Sequence, residues 1–165
     1  MNDVLKAIRT RRSVRCYTDA PVSREQLVTI LEAGRFAPSG KNTQPWRFVI
    51  IESESKRSEL ATLFPQQGLV AATPVTLAVL IDREAGYDEL KDVQGIGAAI
   101  ENILLAIHSL GLGACWMGRA RDKEIERFFG AREGEELMAL IPIGHPAEAP
   151  TPTPRLSLQE IARFI

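Results

Sequence analysis

Two short polar segments near the N-terminus contain the residue types best suited to holding a small charged ligand. The first is the run Arg-Arg-Ser-Val-Arg at 11–15, with three guanidinium groups and a hydroxyl. Guanidinium forks bind phosphate through paired, charge-assisted hydrogen bonds, so this run predicts a phosphate site. The second is the run Pro-Ser-Gly-Lys-Asn-Thr-Gln-Pro-Trp at 38–46, whose amides and hydroxyls suit a planar heterocycle. Together the two segments predict a nucleotide-like ligand.

The basic run also has a simpler interpretation as a solvated turn. Basic residues that follow a helix stabilise its C-terminus by about 0.3–1 kcal/mol each without any ligand. Guanidinium groups packed this closely repel one another, however, and a phosphate carrying about −1.5 to −2 charges would relieve that repulsion. The run alone leaves both interpretations open.

The remaining reactive side chains offer little catalytic machinery. The two histidines are His108, which falls within an apolar helical pattern and is expected to pack there, and His145. Cys115 lies in an apolar run and is expected to be a buried, inert thiol. The chain shows no nucleophile elbow and no metal-ligand spacing, so no metal site is predicted. This pattern favours an enzyme whose cofactor carries the chemistry.

Composition excludes several other classes of protein. The formal net charge is −1 over 165 residues, and the arginines cluster locally, so no nucleic-acid partner is expected. The N-terminus lacks the pattern of a secretory signal. The apolar stretch 96–112 is interrupted by Glu101 and His108, so no membrane association is expected. Two distant cysteines fit a cytoplasmic protein with reduced thiols.

Hydrophobic spacing and capping signals predict interspersed helices and strands within one domain covering residues 1–165. The predicted helices are 3–10, a helix opened by the Ser23 capping box and ended by Pro38, 54–64, 92–110 capped by Asp92, a helix capped by Asp122, and a C-terminal helix opened by Ser157. The predicted strands are 48–51, fully buried, then 74–81, 114–117 and 137–143. This order predicts an α+β fold with a mixed sheet flanked by helices.

Further short motifs follow the two N-terminal segments in order along the chain. They are 32–39 (EAGRFAPS), 92–94 (DVQ), 101–106 (ENILLA), 110–118 (LGLGACWMG) and 141–146 (IPIGHP). Each motif is weak alone, but the ordered set covers nearly the whole chain. On these residues the chain resembles a short, single-domain member of the nitroreductase family of flavoproteins.

The resemblance implies an intertwined homodimer with an FMN at each subunit interface. In such a dimer the phosphate and ribityl chain are held by Arg11, Arg12, Ser13 and Arg15, with Arg155 also reaching the phosphate. The isoalloxazine ring faces the backbone around Trp116, Met117 and Gly118, with Gly144 close by. The second subunit contributes Pro38, Ser39, Gly40, Asn42 and Gln44. Neither subunit alone would enclose the flavin.

The resemblance also implies the reaction. NADH or NADPH would bind transiently and deliver hydride to the flavin N5, and an electron-poor acceptor, such as a nitroaromatic or a quinone, would then take its place in a ping-pong cycle. No general acid stands out, so no catalytic side chain is predicted. Two alternatives stay open: a non-catalytic flavin-binding or sensing module, and a relative that cleaves flavin with oxygen or removes halide from aromatics.

The segments that roof the substrate pocket in larger members of the family are short in this chain. Phe64, Tyr87 and Phe129 lie in or beside these short segments. They are the aromatic side chains expected to form a minimal lid.

Overall fold

A computed structural model describes residues 2–63, 67–118 and 123–165. Its helices are α1 (Asp3–Thr10), α2 (Arg24–Arg35), α3 (Glu54–Thr62), α4 (Gln67–Ala71), α5 (Glu89–Ser109), α6 (Lys123–Phe128) and α7 (Leu158–Ile161). Its strands are β1 (Trp46–Ile51), β2 (Val75–Asp82), β3 (Gly113–Ala114) and β4 (Glu135–Gly144). The α+β class predicted from the sequence is confirmed. Asp122 and Phe64, predicted as a helix cap and a lid residue, lie outside the described residues.

The four strands form one sheet in the order β1-β2-β4-β3, with each named neighbour antiparallel. The sequence predicted a mixed sheet; the named strands are antiparallel, and the parallel contact found among the described residues is an isolated bridge between Ser13 and Ala114 of β3. The prediction that residues 48–51 are fully buried was wrong. Those residues are mostly half-buried because β1 is an edge strand that pairs with β2 on one side.

Side chains of β2 alternate between two apolar clusters, as the period of two in a strand requires. Leu77, Val79 and Ile81 face the cluster that contains α2 and α5. Ala78 and Leu80 face the second cluster, which includes Phe129. Phe129 is therefore a core residue, and its predicted place in a lid was wrong.

Helix α5 is the longest element and crosses the first cluster. The sequence predicted that Asp92 caps this helix, but the helix begins one turn earlier, where the Asp88 carboxylate accepts from the Lys91 N–H. Asp92 is instead buried, and its Oδ2 accepts from the backbone N–H of Tyr87 and Asp88. The predicted stop at Gly111 is confirmed by its φ of +73°. Within the described ranges, no helix combines the length and apolar character needed to cross a membrane.

The C-terminal arm, residues 151–165, lies exposed along its whole length. Its short helix α7 opens with the predicted capping box between Ser157 and Glu160. The arm nevertheless carries large apolar side chains, and Leu158 is 72% exposed. An arm of this composition buries little apolar surface within its own chain.

Candidate functional site

The basic run leaves the end of α1 and lies beside β3. Arg11 follows the last turn of α1, where its N–H donates to the carbonyl oxygen of Ala7 at 2.9 Å. Three residues later, the N–H of Val14 donates to the carbonyl oxygen of Ala114 at 2.9 Å. This pairing places the basic run against the segment that continues to Gly118. Two groups of predicted site residues, 11–15 and 116–118, therefore meet within one chain.

The first of two cavities at this junction, named here the arginine cavity, has a volume of about 320 Å³. It is lined by Thr10, Arg11, Arg12, Val14, Leu104, Ile107, His108, Gly111, Leu112, Ala114, Pro146, Glu148, Ala149 and Pro150. Arg11 Nε lies 3.4 Å from Glu101 Oε1, yet this buried nitrogen makes no hydrogen bond to any described residue. Arg12 donates from one terminal nitrogen to the carbonyl oxygens of Arg9 and Arg11. Both arginines thus keep donor capacity for an anion.

The second cavity, named the large cavity, has a volume of about 850 Å³. It is lined by Arg15, Cys16, Tyr17, Gly68, Leu69, Ala72, Cys115, Met117 and Gly118. Met117 is fixed by reciprocal backbone hydrogen bonds with Leu140 at 2.9 and 3.1 Å. A Cβ added at Gly118 would have Trp116 Nε1, 4.0 Å away, as its nearest neighbour, so the backbone there is open to a ligand. The volume lies within the range of small-molecule sites, roughly 300–1,000 Å³.

Tyr17 packs against this junction and hydrogen-bonds to its backbone. Its hydroxyl donates to the carbonyl oxygen of Val14 at 2.5 Å, and the carbonyl oxygen of Pro142 lies 3.3 Å from the same hydroxyl. Burial raises the pKa of the Tyr17 phenol well above its usual value, so the group is neutral at physiological pH. A Cβ at Gly144 would approach Pro74 and Tyr17 to about 3 Å, so Gly144 is needed for this packing. Gly144 is not among the described residues that line either cavity.

Two parts of this site were not predicted from the sequence. Residues Gly68, Leu69 and Ala72, in and just after α4, form one wall of the large cavity. Glu148 accepts from the backbone N–H groups of Arg15 and Cys16, the latter at 3.1 Å, and so fixes the end of the basic run. No local sequence pattern predicts either feature, because both depend on which segments meet in the fold.

The loop 38–44 has an unusual backbone conformation. Lys41, Asn42 and Gln44 have φ of 53°, 57° and 50°, in the left-handed region that costs most residues energy. The loop is tied together by a hydrogen bond from Gln44 N–H to Ser39 Oγ at 3.0 Å. A Cβ at Gly40 would collide with the Tyr87 ring, over which Lys41 Nζ lies 4.7 Å from the centroid. Such a conformation persists only where the surrounding contacts fix it, as these contacts do.

This loop lies far from the arginine cavity within one chain. Ser39 packs near Gly95 in the first half of α5, whereas His108, in the last turn of the same helix, lines the arginine cavity. At about 1.5 Å rise per residue, the two positions are roughly 20 Å apart along the helix. The predicted contacts Pro38, Ser39, Gly40, Asn42 and Gln44 are not among the described residues lining either cavity.

Arg155 lies in the exposed C-terminal arm. Its guanidinium donates to Thr153 Oγ1 at 2.5 Å and to the carbonyl oxygen of Pro154 at 3.1 Å. It is not among the described residues that line the arginine cavity. Its contact with a phosphate therefore stays a prediction.

Comparison with known proteins identifies the family of this chain. The sequence matches the model of the nitroreductase family over residues 8–78 and 64–145. The first of these ranges includes Arg11, Arg12 and Arg15, which line the two cavities. The chain belongs to the nitroreductase family. A relative from Methanothermobacter thermautotrophicus, with NADH dehydrogenase and NAD(P)H nitroreductase in its name, is 38% identical over 152 residues. That match covers 90% of this chain and 80% of the relative. Family membership makes this protein an oxidoreductase.

Solved nitroreductase structures share the fold over nearly the full chain. One from Desulfovibrio desulfuricans, described as a nitroreductase in complex with FMN, has a TM-score of 0.86 and 39% identity, covering 100% of this chain and 98% of its own. The NADPH:FMN oxidoreductase from Vibrio harveyi, complexed with NAD⁺, has a TM-score of 0.88 and 27% identity. It covers 99% of this chain and 77% of its own.

Proposed function

We propose that this nitroreductase is an FMN-dependent NAD(P)H oxidoreductase that reduces an electron-poor acceptor, such as a nitroaromatic or a quinone. The observation that carries the proposal is the pairing of Val14 with Ala114. It sets a cavity lined by two arginines next to a larger cavity with an open backbone at Gly118. A phosphate at one end and a planar ring at the other is the shape of FMN.

The arginine cavity fits the phosphate and ribityl end of this cofactor. The buried Arg11 Nε lacks a hydrogen bond from the described residues, and a phosphate oxygen would supply one. Arg12 lines the same cavity, and Ser13 follows it in the chain but is not among the described residues that line the cavity. Charge-assisted hydrogen bonds of this kind are about twice as strong as neutral ones. We assign Arg11, Arg12 and Ser13 to the phosphate end, with Arg155 added by the arm.

The large cavity fits the ring end. Arg15 brings a positive charge to this cavity, which Met117 and Gly118 also line. We assign the backbone of Trp116, Met117 and Gly118 to the face of the ring. When bound, FMN would supply the redox chemistry, namely hydride acceptance from NAD(P)H at N5 and electron transfer to the second substrate in a ping-pong cycle. The protein's own task is to orient the ring, exclude water and stabilise negative charge at the pyrimidine end. Arg15 performs the electrostatic part of that task.

We further propose that the working enzyme is a homodimer. The loop 38–44 is held in a strained conformation, yet lies roughly 20 Å along α5 from the arginine cavity of its own chain. A second copy can bring that loop to the ring, so Pro38, Ser39, Gly40, Asn42 and Gln44 would act across the interface. The exposed apolar side chains of the arm, including Leu156 and Leu158, supply surface for such an interface.

An absorbance spectrum of the purified protein tests the proposal. The spectrum is recorded again under anaerobic conditions after NADH and then NADPH are added. We expect a yellow protein that either nucleotide bleaches and that an electron-poor acceptor restores. A yellow protein that neither nucleotide bleaches would instead support a flavin-binding or sensing module. Loss of bound FMN under air, or release of halide from a halogenated aromatic, would support the other family chemistries. A protein that stays colourless with excess FMN would overturn the proposal.

A further inference from the structure

His108 lies in the arginine cavity, in a hydrogen-bonding arrangement that fixes its tautomer. Its Nε2 is 2.8 Å from Thr10 Oγ1, and the Thr10 hydroxyl donates to the carbonyl oxygen of Lys6 at 2.8 Å. A hydroxyl has one hydrogen, so Thr10 accepts from His108 and the proton of the neutral ring sits on Nε2. The hydrogen bonds among the described residues leave Nδ1 without a partner.

The charges around the imidazole are unbalanced when the cavity holds no anion. Arg11 and Arg12, from the end of α1, line the cavity together with His108. Burial, followed by these two positive charges, holds the pKa of His108 below its usual value. The carboxylates nearby are already engaged: Glu101 pairs with Arg11, and Glu148 accepts two backbone N–H groups. The C-terminal end of α5, where His108 sits, favours a cation there.

We propose that His108 is a proton-accepting member of this anion site, so that a phosphate group bound beside Arg11 and Arg12 places a solvent proton on Nδ1. This step rests on the proposed function only in naming FMN as the source of the phosphate. Protonation requires no rearrangement, because Nε2 already carries the hydrogen that binds Thr10. The added anion offsets the two guanidinium charges that oppose the imidazolium in the ligand-free cavity. The protonated His108 imidazole is then the third positively charged group facing the phosphate, beside Arg11 and Arg12.

The sign of the pH dependence follows from this linkage. The pKa of His108 is below its usual value without the anion and rises when the anion binds, so binding takes up a proton. The contribution of His108 to affinity is absent at a pH above the pKa of the complex. It grows as the pH falls through that value and is complete below the pKa of the free protein.

Imidazole NMR on the full-length protein tests the proposal directly, since the chain contains two histidines, His108 and His145. We expect FMN to raise the pKa of His108 by roughly one unit or more, as an opposite charge within about 4–6 Å does. Inorganic phosphate should shift it in the same direction, and riboflavin, which lacks the phosphate, should not. His145 serves as the internal control. An unchanged His108 titration with both FMN and inorganic phosphate would overturn the proposal.

The affinity of His108→Gln for FMN gives an independent measurement. The glutamine amide can still donate to Thr10, but it does not titrate. The Kd of the variant divided by that of the unmodified protein should be near one at a pH above the pKa of the complex. It should rise as the pH falls and reach about tenfold below the pKa of free His108 for a shift of one pKa unit. The second ionisation of the FMN phosphate affects both proteins equally, so its effect cancels in this ratio. A flat ratio, or the same slope with riboflavin, would rule out phosphate-linked protonation.

The experiment separates failure of this inference from failure of the proposed function. A protein that takes up no FMN contradicts the oxidoreductase proposal, yet inorganic phosphate would still shift His108 if the anion site is correct. A protein that binds FMN without shifting His108 contradicts this inference alone. If His108→Gln does not fold, the NMR titration of the unmodified protein still decides the question.

Discussion

The hydrogen bond from Val14 N–H to the carbonyl oxygen of Ala114, 2.9 Å long, joins the two halves of the candidate site. One residue before Ala114, Gly113 makes the approach sterically feasible. A Cβ at Gly113 would lie 2.8 Å from Val14 Cβ and 2.9 Å from each of its methyl carbons. Because the Val14 Cβ is one of the atoms in contact, rotating the Val14 side chain does not relieve the clash.

Substitution Gly113→Ala should therefore push the basic run away from β3. We expect a loss of stability of about 1–3 kcal/mol, the usual cost of overpacking a buried site, and weaker FMN binding. Thermal unfolding and flavin titration measure the two effects. Gly97→Ala is the matched control, since its added methyl meets nothing within 4 Å in the chain and a helix favours alanine. Equal behaviour of the two variants would contradict the role assigned to the Val14–Ala114 pairing.

The double substitution Arg11→Ala and Arg15→Ala should remove FMN while the protein stays folded and dimeric. Each charge-assisted hydrogen bond contributes about 1.5–3 kcal/mol, so affinity should fall roughly 100-fold or more. Flavin titration gives the affinity, and sedimentation gives the assembly state. The control is Arg24→Ala with Arg35→Ala, which removes two exposed arginines from surface ion pairs with Glu52 and Glu32. Unchanged FMN affinity in the Arg11/Arg15 variant would exclude both the assignment of Arg11 to the phosphate end and that of Arg15 to the ring end.

Asn42 allows the side chain and the backbone of the loop to be tested separately. Its φ of 57° suits asparagine and glycine but costs alanine roughly 1–2 kcal/mol. Asn42→Gly removes the amide without that strain, and it should weaken FMN binding less than the double arginine change, because the phosphate contacts remain. Asn42→Ala should lose the same amide and also destabilise the protein. If both variants bind FMN as the unmodified protein does, the Asn42 amide does not contact the cofactor.

The helices could be predicted from the sequence where local signals act alone. The capping box from Ser23 to Gln26 forms as expected, and α1 has the predicted bounds. Asp92 was misassigned because a second aspartate, Asp88, lies one turn earlier, and sequence does not reveal which carboxylate becomes buried. The burial of β1 was also misjudged, because the order of strands is a tertiary property.

The candidate site was predictable only in part, for a similar reason. The crowded arginines at 11–15 stand out because their charges repel one another without a ligand. The wall formed by α4, the carboxylate of Glu148 and the position of His108 beside Thr10 carry no such local signal. The loop 38–44 could be recognised by its composition, but its distance from the arginine cavity appears only in the folded chain.

The C-terminal arm provides a test of the proposed dimer. Leu156 and Leu158 are 66% and 72% exposed in the single chain, so replacing them with serine should cost the isolated protomer little. If the arm packs on a second copy, each leucine contributes about 1.5–3 kcal/mol to the interface. The double variant removes two leucines from each protomer, so the dimer should dissociate at a concentration at least about 10⁴-fold higher. Sedimentation over a concentration series measures this, with Leu90→Ser, 63% exposed at the start of α5, as the control outside the arm. Because the proposed site needs two chains, FMN should be lost in parallel with the dimer. A double serine variant that stays dimeric would mean that the arm does not form the interface.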